Sequence, residues 1–531
     1  MARPVPAHAA AAAARHGRRP AGLAVLCALL FLTFLDNTIV SVALGSVQAD
    51  LHAGVSALQW VVGAYALTFA SAMLACGMIG DEFGRKKVML AGAGAFCAGS
   101  VLCALAPGAG LLITGRAVMG LGAAASEPGT LSMLRHLYPE ERRRSRAIGV
   151  WAAVSGLALA VGPVLGGALV GAWGWRGIFW FNLAFGLAAL AAAALILPES
   201  ADPDAHRVDV GGALLGASAL AALVFAVIEG ESAGYGTPWV SALLGVSLLA
   251  AAAFAWWEHR VPYPLLDLRF LRVPRFVTAN VVAFCGYFAT FAIFFFTALY
   301  LEEVVGYSGY RIALAFLPMA TLMILASLLA GRWASAAAQR WLIAGGCLLF
   351  GAGLLLTNAC LSPQPPYLPL VAALALAGAG IGATVVPVTS SVLAVVPAER
   401  SGMAASAANT SREVGAVTGV AVLGALVNAE LRATLIGKLN HLGIPVNFQA
   451  VVIHALETGA VPPSGAAAAA PPGEGSLVRQ VIQAAYTAFQ SGLHAALYLS
   501  AGLVLGAGIL AAVTLGTHSA AGQRLSPPAP W

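Results

Sequence analysis

The sequence predicts an all-α membrane protein that crosses the bilayer many times. Of its 531 residues, 60% are hydrophobic and only 9% are Asp, Glu, Lys or Arg, whereas soluble proteins carry about 25% charged residues. The mean hydropathy of +0.85 is typical of a chain built largely from membrane spans. These values exclude an ordinary soluble domain and a disordered chain.

Fourteen apolar runs are long enough to be spans, because a helix needs about 20 residues to cross a hydrocarbon core about 30 Å thick. They lie at 22–45, 57–79, 88–107, 110–134, 147–172, 177–197, 210–230, 238–257, 276–301, 312–331, 341–360, 367–396, 404–428 and 486–515. The 60 glycines favour closely packed membrane helices, since small side chains let backbones approach.

The cations predict the orientation of the spans. With the N-terminus in the cytoplasm, all but six of the 28 Lys and Arg residues fall in inside segments, and Arg412 is assigned to them. The exceptions are Arg116 within a span and, outside, Arg176, Arg311, Arg432, Lys438 and Arg479. Because positive residues favour the cytoplasmic side, both the basic tail 1–20 and the tail 517–531 are predicted to be cytoplasmic.

The segment 429–485 is predicted to be a long outer loop. Its low-complexity stretch 461–475 is typical of a flexible tip, although the apolar content of 444–454 leaves room for a short packed hairpin.

Few ionisable residues lie inside predicted spans, and each is a candidate functional group because burying a charge in hydrocarbon is costly. Asp36 and Arg116 have similar depths, so they either form a static ion pair or compete for a proton. Glu127 lies three turns from Arg116 on nearly the same helix face, and Pro128 after it weakens the hydrogen-bond ladder. Glu127 is therefore either a reversible proton carrier or a structural carboxyl bonded to a neighbouring helix.

Other classes of chemistry lack the necessary patterns. The seven cysteines form no CxxC pair and the ten histidines do not cluster, so we expect neither a metal site nor a disulfide framework. No phosphate-binding loop or activated nucleophile occurs, so the protein is not expected to be an enzyme. The net charge of +6 reflects membrane topology, and no nucleic-acid partner is expected.

Several segments resemble one family of transporters. The loop residues Gly77, Asp81, Gly84, Arg85 and Lys86 look like the GxxxDxxGRK/R motif of the major facilitator superfamily. The segments 35-LDNTIVSVAL-44 and 116-RAVMGLGAA-124 resemble signatures of its 14-span drug:proton antiporter branch, although Met119 replaces the usual glutamine. The resemblance runs from about residue 20 to 515.

Four further segments support the same resemblance. In span 5 the residues Gly156, Gly162, Pro163, Gly166 and Gly167 resemble the antiporter motif, and 173-WGWRGIFWFN-182 resembles the turn that follows it. In the second half, 300-YLEEVVGYS-308 and 402-GMAASAANTSREVGAVTGVAVLG-424 resemble branch motifs and offer Glu302, Asn409 and Arg412 as candidates. The second-half copy of the loop motif, 331-GRWASAAAQRW-341, has no acid.

The resemblance implies two six-helix halves, 21–198 and 261–516, around two inserted spans in 199–260, with alternating access to a central cavity. It implies that Asp81, Arg85 and Lys86 form a cytoplasmic latch. It also implies that Gly162 and Pro163 lie between the halves and limit proton leak.

The expected function is export of small lipophilic organic compounds, of drug or antibiotic type, in exchange for protons. Asp36, Arg116 and Glu127 would couple proton and substrate. The proton gradient would be the energy source with no cofactor, and the protein would act as a monomer in the plasma membrane. The alternatives are a dedicated exporter or importer of one metabolite on the same fold, and a non-transporting membrane sensor.

Overall fold

The computed structural model describes residues 7–40, 43–51, 53, 55–200, 209–262, 264, 266–307, 309–333, 339–397, 401–442, 445, 449 and 475–515. In chain order its α-helices are α1 (Ala7–Ile39), α2 (Leu44–Leu51), α3 (Val55–Phe83), α4 (Arg85–Ala104), α5 (Ala109–Leu137), α6 (Glu141–Trp173), α7 (Arg176–Ile196), α8 (Val210–Ala233), α9 (Pro238–Glu258), α10 (Pro274–Phe291), α11 (Thr297–Glu303), α12 (Gly309–Trp333), α13 (Gln339–Cys360), α14 (Tyr367–Val395), α15 (Ser401–His441) and α16 (Gly475–Thr514). A wider π-helical turn, Ala292–Phe296, joins α10 to α11.

A described helix lies at each of the fourteen predicted spans. Twelve of these helices are long and apolar enough to cross a membrane, and a thirteenth follows if Trp60–Met73 and Ala75–Phe83 count as one span bent by 51°. The 33-residue helix α6 is at the remaining predicted position. The structure is thus an all-helical, multi-pass membrane protein compatible with fourteen spans.

The two halves repeat one packing pattern. In the first half α4 packs on α5 and α7, α3 packs on α5, and α1 packs on α6. In the second half the corresponding helices pair in the same way: α13 with α14 and α16, α12 with α14, and α10 with α15. The same six-helix bundle therefore occurs twice in the chain.

The inserted helices α8 and α9 form a hairpin beside the two bundles. They pack on each other, and Ser247 Oγ donates a hydrogen bond to the Ala219 carbonyl (2.9 Å). Helix α8 also contacts α3 of the first half and α15 of the second half. The hairpin thus lies along the seam between the halves.

The halves contact each other through α6 with α12 and through α15 with α3 and α5. At the predicted cytoplasmic end, Arg135 at the end of α5 donates to the Val396 carbonyl (3.0 Å), just after α14. The backbones of α6 and α12 come close at the same end, where a side chain on Gly149 would meet the Ser327 carbonyl. These contacts join the two halves at the predicted cytoplasmic end of the bundle.

Within the predicted outer loop 429–485 both flanking helices continue, since α15 extends to His441 and α16 begins at Gly475. Leu431, Leu435 and Leu439 recur every four residues on α15 and pack against α16. Their partners are Ala484, Ala485 and Ala488. This apolar stripe extends both helices as a packed pair, and nearly all of 461–475 and of 444–454 lies outside the described residues.

The first predicted span, 22–45, is also shifted. Helix α1 begins within the predicted tail and ends at Ile39, and α2 follows as a separate short helix. The described tail is anchored near its end, because the Tyr138 hydroxyl donates to the Arg19 carbonyl (3.0 Å).

Candidate functional site

Asp36 and Arg116 form an ion pair inside the first half. Asp36 on α1 is 0% exposed and Arg116 on α5 is 1% exposed, and Arg116 Nη1 donates to Asp36 Oδ2. Arg116 Nε also donates to the Val61 carbonyl on α3 (2.9 Å). The pair predicted from matching depths is therefore present, and it joins three helices.

Two further side chains complete this cluster. Asn182 on α7 is fully buried and its Nδ2 donates to Asp36 Oδ1 (2.7 Å). The guanidinium carbon of Arg116 lies 4.5 Å from the centre of the Tyr65 ring, a cation–π contact. Both carboxylate oxygens of Asp36 thus have donors.

Glu127 on α5 is 2% exposed, and Pro128 follows it within the helix. Its Oε2 has no hydrogen-bond partner among the described residues. The Glu127 backbone carbonyl accepts from Thr130 Oγ1 (2.7 Å), and Trp151 Nε1 of α6 donates to the same hydroxyl (3.0 Å). Glu127 is therefore the less satisfied of the two predicted carboxyl groups.

Arg412 is corrected from a cytoplasmic cation to a buried residue of α15, 2% exposed. Its Nη1 donates to Asn409 Oδ1 (2.7 Å), and its Nη2 donates to Thr389 Oγ1 of α14. Its guanidinium carbon lies 5.7 Å from the Trp151 ring centre and 5.8 Å from that of Tyr287. Because Trp151 belongs to the first half, Arg412 lies where the halves meet.

The neighbouring residue Glu413 is also buried, with only 7% of its surface exposed. It was not predicted as a site residue. Glu413 and Arg412 are the charged groups that act electrostatically on Glu127. The structure thus brings Glu127, Arg412 and Asn409 together with Glu413. The side chain of Glu302, the other second-half candidate, lies outside the described residues.

A small cavity of about 20 Å³ lies in the second half beside Arg412. Helices α10, α13, α14 and α15 line it. Its polar lining consists of Tyr287, Thr290, Thr384 and Arg412, and the other lining side chains are apolar or small. In this conformation the space has room for about one water molecule.

The residues of the predicted latch make the following contacts at the predicted cytoplasmic end. Arg85 Nε donates to Asp81 Oδ1 (2.9 Å), and Arg85 Nη1 donates to Ser200 Oγ (2.9 Å). Asp81 Oδ2 accepts from the backbone N–H of Met403 (3.3 Å), in the first turn of α15. Asp81 therefore connects the first half to the start of a second-half helix.

Gly84 and Lys86 of the same motif hold the α3–α4 connection against the end of α7. Gly84 has φ of 107°, a conformation that glycine adopts easily. A side chain there would also collide with Glu199. Lys86 donates through its backbone N–H to Glu199 Oε1 (3.1 Å) and through Nζ to the Ala194 carbonyl (2.6 Å). Gly77 is buried within α3.

The span-5 glycines face two different neighbours. A side chain on Gly156 would meet Met323 of α12 in the second half, whereas side chains on Gly162 and Gly166 would meet Thr38 and Ile39 of α1. The Cβ direction of Gly162 is thus towards its own half, and the expected position of Gly162 and Pro163 between the halves stays a prediction. Gly167 has open space beside it, and the Pro163 side chain lies outside the described residues.

Signals for the two missed residues were present in the sequence. Glu413 is an acid within the predicted span 404–428, so a complete survey of intramembrane acids would have found it. Asn182 ends the 173–182 segment that carries the family resemblance, but its partner on α1 depends on packing.

Two bundles of the same design, joined by an inserted hairpin and enclosing buried charges, define a transporter of the two-half, alternating-access class. The chain matches the Major Facilitator Superfamily over residues 26–420 and belongs to it.

Curated relatives include multidrug resistance protein Stp of Mycobacterium tuberculosis, 35% identical over 76% of this chain and 75% of that protein. Puromycin resistance protein pur8 of Streptomyces alboniger is 36% identical over 79% of this chain and 84% of its own length. Methylenomycin A resistance protein of Streptomyces coelicolor is 34% identical, over 78% and 87% respectively.

Solved structures show the same fold at low sequence identity. The human organic anion transporter MFSD10 has a TM-score of 0.60 and 15% identity over 93% of this chain and 99% of its own. The proton:xylose symporter XylE has a TM-score of 0.60 and 12% identity over 93% of this chain and 95% of its own.

Proposed function

We propose that this chain exports small lipophilic organic compounds, of the drug or antibiotic type, in exchange for protons. Its relatives carry the names of multidrug and antibiotic resistance proteins, and its fold is that of alternating-access transporters. The transporter uses the proton gradient with no cofactor and acts as a monomer. It lies in the plasma membrane with both termini in the cytoplasm, as the distribution of cations indicates.

The observation that carries the proposal is the environment of Glu127. Its carboxyl is buried where the halves meet, and Oε2 has no hydrogen-bond partner among the described residues. An ionised carboxylate without a partner is costly in a low-dielectric interior, whereas the neutral acid is much less so. Glu127 can therefore exchange a proton without breaking an existing hydrogen bond at Oε2.

Asp36 has a different part in the proposal. Arg116 and Asn182 already donate to both of its oxygens, so protonation must disrupt this cluster. The pair links α1 to α5 and assists coupling by moving with the cavity-lining helices. Glu127 is the main proton carrier. The Asp36–Arg116 pair transmits the change in Glu127 protonation to α1 and α5.

Exchange requires that the proton and the substrate oppose each other. If the substrate binds better to the deprotonated cavity, binding of the proton releases the substrate, and binding of the substrate releases the proton. The occupant of the cavity then determines which side of the membrane the cavity faces. The cavity beside Arg412 lies next to the proposed proton carrier, so substrate and proton affect each other through short-range electrostatics.

The test is proton release from acidified, inverted membrane vesicles that contain the protein, followed with a pH-sensitive dye. Lipophilic cations, neutral antibiotics and organic anions are added in turn. Wild-type protein should release protons with some of these compounds, and Glu127→Gln should abolish the release. Glu140→Gln is the matched control, because Glu140 is a surface residue in an exposed ion pair with Arg143.

Each alternative has its own outcome in this experiment. Unchanged proton release by Glu127→Gln would contradict its role as the main carrier, and unchanged release by Asp36→Asn would remove Asp36 from the coupling. Silence across the whole panel, with the protein shown to be inserted, would favour a transporter of one metabolite or a non-transporting sensor.

A further inference from the structure

A polar stripe of α15 is buried beside Arg412. Ser406, Asn409 and Glu413 are spaced by three and four residues, so they lie on one side of the helix, and all three are buried. Helix α15 packs on α3 and α5. Because Arg412, the neighbour of Glu413, lies 5.7 Å from the ring centre of Trp151 in the first half, this part of α15 lies where the halves meet.

Glu127 and Glu413 lie at matching depths. Glu127 is ten residues before the end of α5 and Glu413 is twelve residues after the start of α15, which is about 15 and 18 Å from the same end of the bundle. The two carboxyls share neighbours, because both act electrostatically on Tyr65 of α3 and on Tyr287 of α10. The two carboxyls therefore form one electrostatic unit across the interface.

One cation serves both carboxyls. Arg412 donates to Asn409 and Thr389, and no described carboxylate lies within ion-pair distance of it. With both acids ionised the buried cluster would carry a net negative charge. One proton on the pair makes the cluster neutral, which a low-dielectric site strongly favours.

We propose that Glu127 and Glu413 share one proton between the two halves, with Arg412 as their counter-ion. This inference rests on the proposed proton-coupled export and names a second coupling residue for it. The shared site is complete only when the halves meet at this depth. Opening the bundle separates the two carboxyls, so the affinity for the proton changes with the facing state, as coupling requires.

Among the described residues, the other charged or titratable groups near the Glu127–Glu413 pair are Tyr65, Tyr287 and the Asp36–Arg116 pair. Tyr65 lies between the pair and the Asp36–Arg116 cluster, since it stacks with Arg116 and interacts with both carboxyls. The Asp36–Arg116 pair is internally neutral. Tyr287 contacts Arg412 from α10. The proton on the Glu127–Glu413 pair is thus the variable charge of this region.

The test measures substrate-driven proton release in the vesicles as a function of pH for wild type, Glu413→Gln, Glu127→Gln and the double variant. We expect Glu413→Gln to keep transport but to shift the pH midpoint by about one unit towards acid, because one of two interacting like charges is gone. The double variant should behave like Glu127→Gln alone. Glu140→Gln, on the surface, should match wild type.

If Glu413→Gln does not fold, Glu413→Asp replaces it. Aspartate keeps the second carboxyl, so this variant should keep the wild-type pH midpoint, whereas a midpoint about one unit more acidic would contradict the proposal. A Glu413→Gln profile identical to wild type, with Glu127→Gln inactive, would overturn proton sharing and leave the proposed export intact. Absence of proton release by wild type would instead overturn the proposed function.

Discussion

The buried carboxyl groups differ in how fully their hydrogen bonds are satisfied. Asp36 accepts from Arg116 at one oxygen and from Asn182 at the other, whereas Glu127 Oε2 has no partner among the described residues. A satisfied ion pair is costly to break, because one charge is then left uncompensated. Asp36 is therefore suited to order the first half, and Glu127 to exchange a proton.

The Asp36–Arg116 pair predicts a characteristic stability pattern. Asp36→Asn leaves Arg116 buried without a counter-charge and should destabilise the protein by about 3–5 kcal/mol. The double variant Asp36→Asn with Arg116→Gln removes both charges and should recover most of this loss. Thermal unfolding of the purified variants in detergent measures both effects. A double variant as unstable as the single one would show that the charge balance is not what Asp36 provides.

At the scale of elements, the latch depends on the end of a helix. Asp81 Oδ2 accepts from the Met403 N–H in the first turn of α15, where unpaired N–H groups and the helix dipole favour a negative charge. Arg85 holds the other carboxylate oxygen in place. The contact thus ties the α3–α4 loop of one half to the beginning of a helix in the other.

Asp81→Asn should weaken this tie by about 0.3–1 kcal/mol, the usual value of a charge at a helix N-terminus, and favour opening of the predicted cytoplasmic end. Spin labels at the exposed positions Lys87 and Trp341, in a cysteine-free background, report the distance between the halves. The distribution should gain a longer component in Asp81→Asn.

Glu82→Gln is the control for that experiment. It removes the same charge from the next residue, which has no described bond to α15. An equal change in both variants would show that the loop's charge matters and that the Asp81–Met403 contact does not.

For the whole molecule, two six-helix bundles with equal packing order are joined by a hairpin that contacts both. The halves meet along α6–α12 and α3–α15 and enclose the charges contributed by α5 and α15. A relative movement of the halves therefore changes the surroundings of Glu127 and Glu413 while the contacts inside each bundle persist.

The extended ends of α15 and α16 form a small second core outside the predicted membrane region. Leu435→Ala, at a fully buried position, should cost about 2–5 kcal/mol locally and raise the rate of tryptic cleavage after Lys438 by about tenfold or more. Ile436→Ala is the control, since Ile436 is 40% exposed. Equal cleavage of the two variants would show that the pair of helices is not held together by this core.

Composition and apolar run length determined much of this protein. Fourteen runs of about 20 residues predicted the fourteen helix positions, and the depths of Asp36 and Arg116 gave an ion pair as one of two alternatives. The resemblance of the loop to a known motif implied that Asp81, Arg85 and Lys86 act together. Each of these features depends on local sequence or on position along a span, which the bilayer fixes in advance.

Only the tertiary structure decided the rest. The Asn182–Asp36 bond, the meeting of Glu127 with Arg412 and Glu413, and the direction of Gly162 depend on how helices rotate and pack, which the sequence leaves open because the spans are apolar on most sides. The ends of α15 and α16 were missed since a helical pair in water needs only one apolar stripe. Membrane burial sets helix length and depth, whereas side-chain packing sets which faces meet.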